Sequence, residues 1–400
     1  MLSSILLLTG LCAIIRAQSD LDKLTTTLDL LRERNARDYA LAGPGVIDEA
    51  RYVKLGGIEQ WITIRGENRY NPVLLFLHGG PGEATNPYGY AVFRSWLRHF
   101  TIVQWDQRGA GRTLGKNGRS IADTITIDRM TQDGVELAEF LCKSLNKDKI
   151  ILVGHSWGSI LGVFMVKVRP EIFSAFVGTG QVADPLRNYS IAYAELLKKA
   201  KLLGDQNAIK ELTAVGPPPY SSGSAYAVQR KWSNLFEHAD VFLLSTLGLA
   251  LSAPGYTLRD FNDWLEGEEV SAERLVPVTS KLKRESLTGN FAVPVFVIQG
   301  AEDFTAPTSM ARGFLRSISA PKKAFVEIKD SGHFAVFMKS DAFLRELVMK
   351  VLPAVSGTAR GVRGKRATAT RISSRSRRDR NPLNRSYLLL PVDSTCPSHA

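Results

Sequence analysis

Gly154-His155-Ser156-Trp157-Gly158 sets a serine between two glycines directly after the apolar run Ile150 to Val153. A hydroxyl is a weak nucleophile until a base takes its proton and a third group orients that base. Six histidines compete for the role of base. His78 and His155 sit inside glycine-rich turns, His99 precedes an apolar run, His238 lies in a helical stretch and His399 in a basic tail. His333, in Ser331-Gly-His-Phe334, follows the last β-rich run, Ala324 to Ile328. Asp303, in Gly300-Ala-Glu-Asp303, follows Val295 to Gln299; Glu302 beside it and Asp184 are lesser candidates for the acid. In the chain order Ser156, Asp303, His333, the serine attacks a carbonyl and the histidine takes its proton. The carboxylate fixes the imidazole tautomer and stabilises the imidazolium.

The carbonyl oxygen becomes an anion in such a reaction, and each missing donor costs about 10²–10³ in rate. His78-Gly79-Gly80-Pro81-Gly82 follows the apolar run Val73 to Leu77. The backbone N–H groups of Gly80 (Gly79 is the second choice) and of Trp157 are the expected donors. Cys12, Cys142 and Cys396 give neither a disulfide framework nor a metal-ligand spacing, and no cofactor or metal is expected.

These turns need strands to hold them. Gly56-Gly57 joins two β-rich runs, Arg51 to Leu55 and Ile58 to Ile64, as a hairpin. Val73 to Leu77 is continuously apolar, as expected for a strand buried on both faces of a parallel sheet, and Ile150 to Val153 is another fully apolar strand. Thr101 to Trp105, Phe173 to Val177, Val295 to Gln299 and Ala324 to Ile328 also read as strands. Helical patterns alternate with them over Ile127 to Leu145, Ile160 to Val168, Ser309 to Ser317 and Ser340 to Val351, with one more at Leu21 to Arg34 ahead of the first strand. The alternation predicts an α/β chain with a mostly parallel, doubly wound sheet, whose sites lie at the C-terminal strand edge. It stops between 185 and 290, a helical stretch rich in Tyr, Trp and Phe that reads as a lid inserted after the sixth strand. The α/β core is thus expected in two parts, 18–184 and 291–355.

The ends differ from the middle. Residues 1–17 hold an apolar stretch from Ile5 to Ile15 broken by Thr9 and Gly10, the length of a signal peptide rather than a stable membrane span. An uncleaved anchor and a buried helix are the other readings of it. A signal places the protein in the secretory pathway, the cytoplasm being the alternative, and makes Asn188 and Asn384 glycosylation acceptors. The chain's net charge is +12, of which the 354–400 segment, with ten Arg/Lys and two Asp/Glu, supplies +8. Residues 356–400 are read as a solvated, disordered tail, and no nucleic-acid partner is expected.

With these residues in place the chain resembles the proline iminopeptidase branch of the α/β hydrolases. The resemblance rests on His78-Gly-Gly-Pro-Gly82, Trp105-Asp-Gln-Arg-Gly109 with Gly111, Gly154-His-Ser-Trp-Gly158, Gly300-Ala-Glu-Asp303 and Ser331-Gly-His333, and spans roughly residues 45 to 353. It implies the α/β-hydrolase fold, a triad at Ser156, Asp303 and His333, and a structural pairing of Asp106 with Arg108. It also implies an aminopeptidase that releases N-terminal proline or a similar residue from a small peptide, its lid carboxylates holding the substrate's ammonium. Glu266, Glu268 and Glu269 are the carboxylates nominated here. An esterase, lactonase or small-amide hydrolase is the alternative, favoured if no carboxylate faces Ser156. A hydrolase-fold receptor that binds its ligand without turnover is the alternative of another class.

Overall fold

Strand β3 (Val73–Leu77), β4 (Thr101–Trp105), β5 (Ile150–His155) and β7 (Val295–Gly300) are buried at every position in the computed structural model. The structure describes residues 22–220 and 223–356; the expected signal segment, Asn384 and the tail beyond 356 lie outside them. β3 shows why the run is apolar throughout. Val73, Leu75 and Leu77 enter the hydrophobic cluster on one face of the sheet, and Leu74 and Phe76 the cluster on the other.

With β1 (Ile47–Leu55), β2 (Ile58–Gly66), β6 (Phe173–Thr179) and β8 (Lys323–Ile328), these strands form one eight-stranded sheet of order β1-β2-β4-β3-β5-β6-β7-β8. β2 pairs antiparallel with β1 and β4, and every other pairing is parallel. The strand order reverses at β3, which lies between β4 and β5. That switch point opens a crevice beyond the strands' carboxyl ends. The two glycine-rich turns, after β3 and after β5, both fall there.

Helix α1 spans 22–38, four residues beyond the expected end at Arg34. Two short helices, α2 (Asn86–Val92) and α3 (Gly111–Asn117), are not evident from periodicity, being too brief to show one. α4 (Ile127–Ser144) and α5 (Trp157–Val168) follow, α5 starting at the serine turn itself.

Between β6 and β7 stand α6 (Pro185–Leu203), α7 (Gln206–Val215), α8 (Gly223–Phe236), α9 (Ala239–Leu251), α10 (Leu258–Thr279) and α11 (Arg284–Leu287). Their boundaries follow local chemistry. Asp184 caps α6 by accepting the Arg187 N–H at 3.1 Å, Gly204 at φ 68° ends it, and Thr257 with Asp260 forms a capping box on α10. Leu196, Ala200, Leu212, Trp232 and Phe236 give this insertion a small core of its own. Trp264 ties it to the crevice by donating its indole N–H to the Ala84 carbonyl at 2.8 Å. The chain then passes through α12 (Thr308–Ser317), α13 (Ala335–Met338) and α14 (Ser340–Glu346). The final helical pattern predicts one unbroken helix to Val351; instead Leu347–Val351 is a π-helical turn. Among the described residues no helix is long and apolar enough to cross a membrane.

Candidate active site

Ser156 sits between β5 and α5 at φ 53°, a conformation rarely adopted by residues other than glycine. The bend is feasible because its flanking glycines have no side chain. A Cβ on Gly154 would lie 2.3 Å from the Gly158 carbonyl oxygen, and one on Gly158 2.3 Å from that of Leu77. Both obstacles are backbone, so neither can yield. The turn thereby presses against β3 and points the serine hydroxyl into the crevice.

His333 arrives from the loop after β8. Its Nε2 stands 3.0 Å from Ser156 Oγ, and its Nδ1 3.0 and 3.1 Å from the two oxygens of Asp303. Asp303 is fixed in turn. Its Oδ1 accepts the backbone N–H of Thr305 at 2.9 Å and of Ala306 at 2.7 Å, and its Oδ2 accepts from Gln299 at 2.7 Å. Burial pushes the Asp303 carboxyl up to about 8, and the backbone donors of Ala306 and Thr305 pull against that rise. With the imidazole proton on Nδ1 facing Asp303, Nε2 is free to accept the serine proton. The other candidates lie elsewhere: Asp184 caps α6, Glu302 pairs with Lys199 at 3.4 Å, and His99 and His238 are exposed.

Burial, reinforced by the positive charge of Arg230, holds His333 well below the ordinary imidazole range. A base works only when neutral, so the sign is clear: a lowered value extends the active form into acid. The expected kcat/KM profile stays flat through the usual imidazole value of about 6.5 and falls only at lower pH. An acid limb centred at or above that value would contradict this placement of His333.

Gly80 and Trp157 border the same cavity as Ser156 and His333. Neither backbone N–H has a protein acceptor among the described residues. The loop and the serine turn are cross-linked: Trp157 donates its indole N–H to Gln107 Oε1 at 2.9 Å, and the Gln107 backbone N–H reaches His78 Nε2 at 3.3 Å. His78 must therefore carry its proton on Nδ1, donating to the Gly79 carbonyl at 2.9 Å. Burial pushes it down to about 4, which keeps it neutral. His155 is also neutral and accepts no role beyond packing against His333 and bonding its carbonyl at 3.1 Å.

Several expectations need correction. Asp106 and Arg108 are buried but not paired with each other. Asp106 accepts from Asn86 at 2.7 Å and from the Arg112 backbone N–H at 2.9 Å, whereas Arg108 forks onto Asp133 at 2.7 and 3.1 Å. Glu266 and Glu269 do not face substrate: both approach Arg119, on a side of α10 away from the serine. α10 turns Trp264, Gly267 and Val270 inward, which puts positions 266 and 269 on its outer side. Glu268 is exposed near Glu83, whose carboxyl is pushed up to about 7 by burial and by Glu268. Asn188 is unsuited to glycosylation, being 2% exposed and part of the cavity wall.

The cavity measures about 70 Å³. Its polar lining is Asn188, Tyr189, Tyr226, Arg230 and Thr305, and no Asp or Glu lines it among the described residues. In the sequence Arg230 is one cation among many on helices without a motif, and nothing local singles it out. Glu237, just beyond α8, reads there as one acid among several in the insertion. It accepts the backbone N–H of Phe304 at 2.8 Å and that of His333 at 2.5 Å, so it anchors the loops that carry Asp303 and His333. Burial and the nearby Asp303 push its carboxyl up.

An α/β-hydrolase fold family model matches residues 72–340, and the chain belongs to that family. It is 29% identical over 290 residues to Probable aminopeptidase YbaC of Bacillus subtilis, covering 70% of this chain and 89% of that one. To a proline iminopeptidase of Lactobacillus delbrueckii subsp. lactis it is 27% identical over 192 residues, covering 46% of this chain and 62% of the relative. A crystal structure of a proline iminopeptidase-related protein from Thermus thermophilus superposes with a TM-score of 0.53 at 20% identity, covering 77% of this chain and 98% of that one. That likeness is one of fold. The chain is a hydrolase, as its family and its peptidase-named relatives show.

Proposed function

We propose that this protein is a serine hydrolase that works through an acyl-enzyme on Ser156 and releases an N-terminal proline, or a similarly small residue, from short peptides. The observation that carries the reading is the unbroken path from Ser156 Oγ through His333 to Asp303, opening on a small cavity. The peptide substrate is supported by the names of the relatives, above all the aminopeptidase of Bacillus subtilis.

In this mechanism Ser156 Oγ attacks the scissile carbonyl carbon while His333 Nε2 takes the hydroxyl proton. Asp303 stabilises the imidazolium, and the N–H groups of Gly80 and Trp157 receive the oxyanion. His333 returns the proton to the leaving amine nitrogen as the C–N bond breaks. Water then attacks the ester, its proton going to His333, and the freed residue leaves with Ser156 restored.

One observation favours a second reading. Because no carboxylate lines the cavity among the described residues, a substrate ammonium has no immediate acidic partner, and an ester or small amide is accommodated equally well. Prolyl and alanyl dipeptides, the matching arylamides and short acyl esters separate the two. Ser156-dependent release of the N-terminal residue supports the aminopeptidase; cleavage of the esters alone rejects it and leaves an esterase.

A further inference from the structure

Arg230, from α8, borders the cavity together with Ser156 and His333, yet it does no work in the mechanism above. The guanidinium is half-buried, and no carboxylate oxygen of the described residues lies within 4.0 Å of it. Arg108 shows how this chain ordinarily houses such a group: two bonds to Asp133, one to the Gly56 carbonyl and one to Thr124. A cation withdrawn from water without such partners is costly unless something else meets it. Burial works against the charge of Arg230, and the fields of Tyr226, Glu83, Glu268 and Glu237 more than offset it. The group therefore stays ionised, and among the described residues its N–H fork has no hydrogen-bond acceptor.

Two other polar atoms of the same wall are buried without partners, Asn188 Oδ1 and Thr305 Oγ1. Asn188 is 2% exposed, so water cannot reach its amide from outside. Ile160, Val182 and Val276 supply an apolar part of the same lining. The space beside the nucleophile thus offers a flat cationic fork and a surface for a small side chain. A guanidinium pairs best with the two oxygens of a carboxylate.

We infer that Arg230 selects substrates whose scissile carbonyl is followed by a single residue with a free carboxylate, which makes dipeptides the preferred class. This rests on the aminopeptidase reading and narrows it. In a dipeptide the terminal carboxylate belongs to the leaving residue itself, so one small cavity can offer Ser156 to the carbonyl and Arg230 to the carboxylate. A longer peptide would carry its carboxylate beyond the fork, and an amidated one would bring no charge to it.

The test compares prolyl-alanine with prolyl-alanine amide on the full chain, in the wild type, Arg230→Met and Arg230→Lys. The wild type is expected to favour the free acid by about 10–100-fold in kcat/KM, the effect of a hydrogen-bonded charge. Arg230→Met should erase that preference mainly by raising KM for the acid, and Arg230→Lys should keep part of it. Thermal unfolding of each variant separates a lost fold from lost recognition. Equal cleavage of both dipeptides by the wild type, or a preference that survives in Arg230→Met, overturns the inference and leaves the aminopeptidase standing. If neither dipeptide is cleaved while esters are, the aminopeptidase reading fails and takes this inference with it.

Discussion

Ser156→Ala is expected to lower turnover by about 10⁴–10⁶-fold on every substrate the wild type accepts, while the protein stays folded. The size follows from the site working as a unit. Without Oγ there is nothing for His333 to deprotonate, and the oxyanion donors alone retain only a residue of the rate. Stability should change little. The lost hydrogen bond to His333 is a neutral one worth about 1 kcal/mol net, and alanine meets the backbone at φ 53° no worse than serine does. Initial-rate assays paired with thermal unfolding make the measurement. Activity within tenfold of wild type would show that another group is the nucleophile.

Arg108→Ala is expected to act on the fold instead, at a cost of about 3–5 kcal/mol. Arg108 is 1% exposed and its partner Asp133 lies fully buried, so removing the guanidinium strands a carboxylate in the interior. Arg129 still reaches Asp133 Oδ1 at 2.9 Å from a more exposed position, which argues for the lower half of that range. The loss reaches beyond the pair, because Arg108 also holds the Gly56 carbonyl in the β1–β2 hairpin at 3.0 Å and Thr124 at 2.9 Å. For a domain stable by about 5–15 kcal/mol this is a large fraction. Urea unfolding measures it; a midpoint shift worth under about 1 kcal/mol would show that the hairpin is anchored by other contacts.

The central strands are legible in the sequence because burial on both faces leaves a signature that depends on little else. Val73–Leu77 and Thr101–Trp105 coincide with the runs read from composition, and the rest differ by a few residues at their ends. The positions of Ser156, Asp303 and His333 are legible for a related reason: each follows a strand that can be located, and chain order does the rest. Insertion helices carry no such coordinates. Glu266, Glu268 and Glu269 attract attention as a cluster, but a cluster along a helix says nothing about which side faces the crevice. Docking α10 through Trp264 and Gly267 settles that, and it turns 266 and 269 toward Arg119. Arg230 matters because it borders the same cavity as Ser156, and Glu237 through its bonds to the loops after β7 and β8, long-range facts to which the local sequence gives no clue. Asn188 misleads in the opposite direction, since its triplet describes a sugar acceptor while its helix buries it.

Glu237 has a bearing on how anything enters. The insertion that roofs the crevice reaches down through this one side chain to grip the main chain at Phe304 and His333, the two loops that shape the acid and the base. Raising α8 to admit a substrate would pull that grip away and leave the histidine loop unmoored. Any movement that lifted this part of the insertion would therefore also free the loops that carry Asp303 and His333.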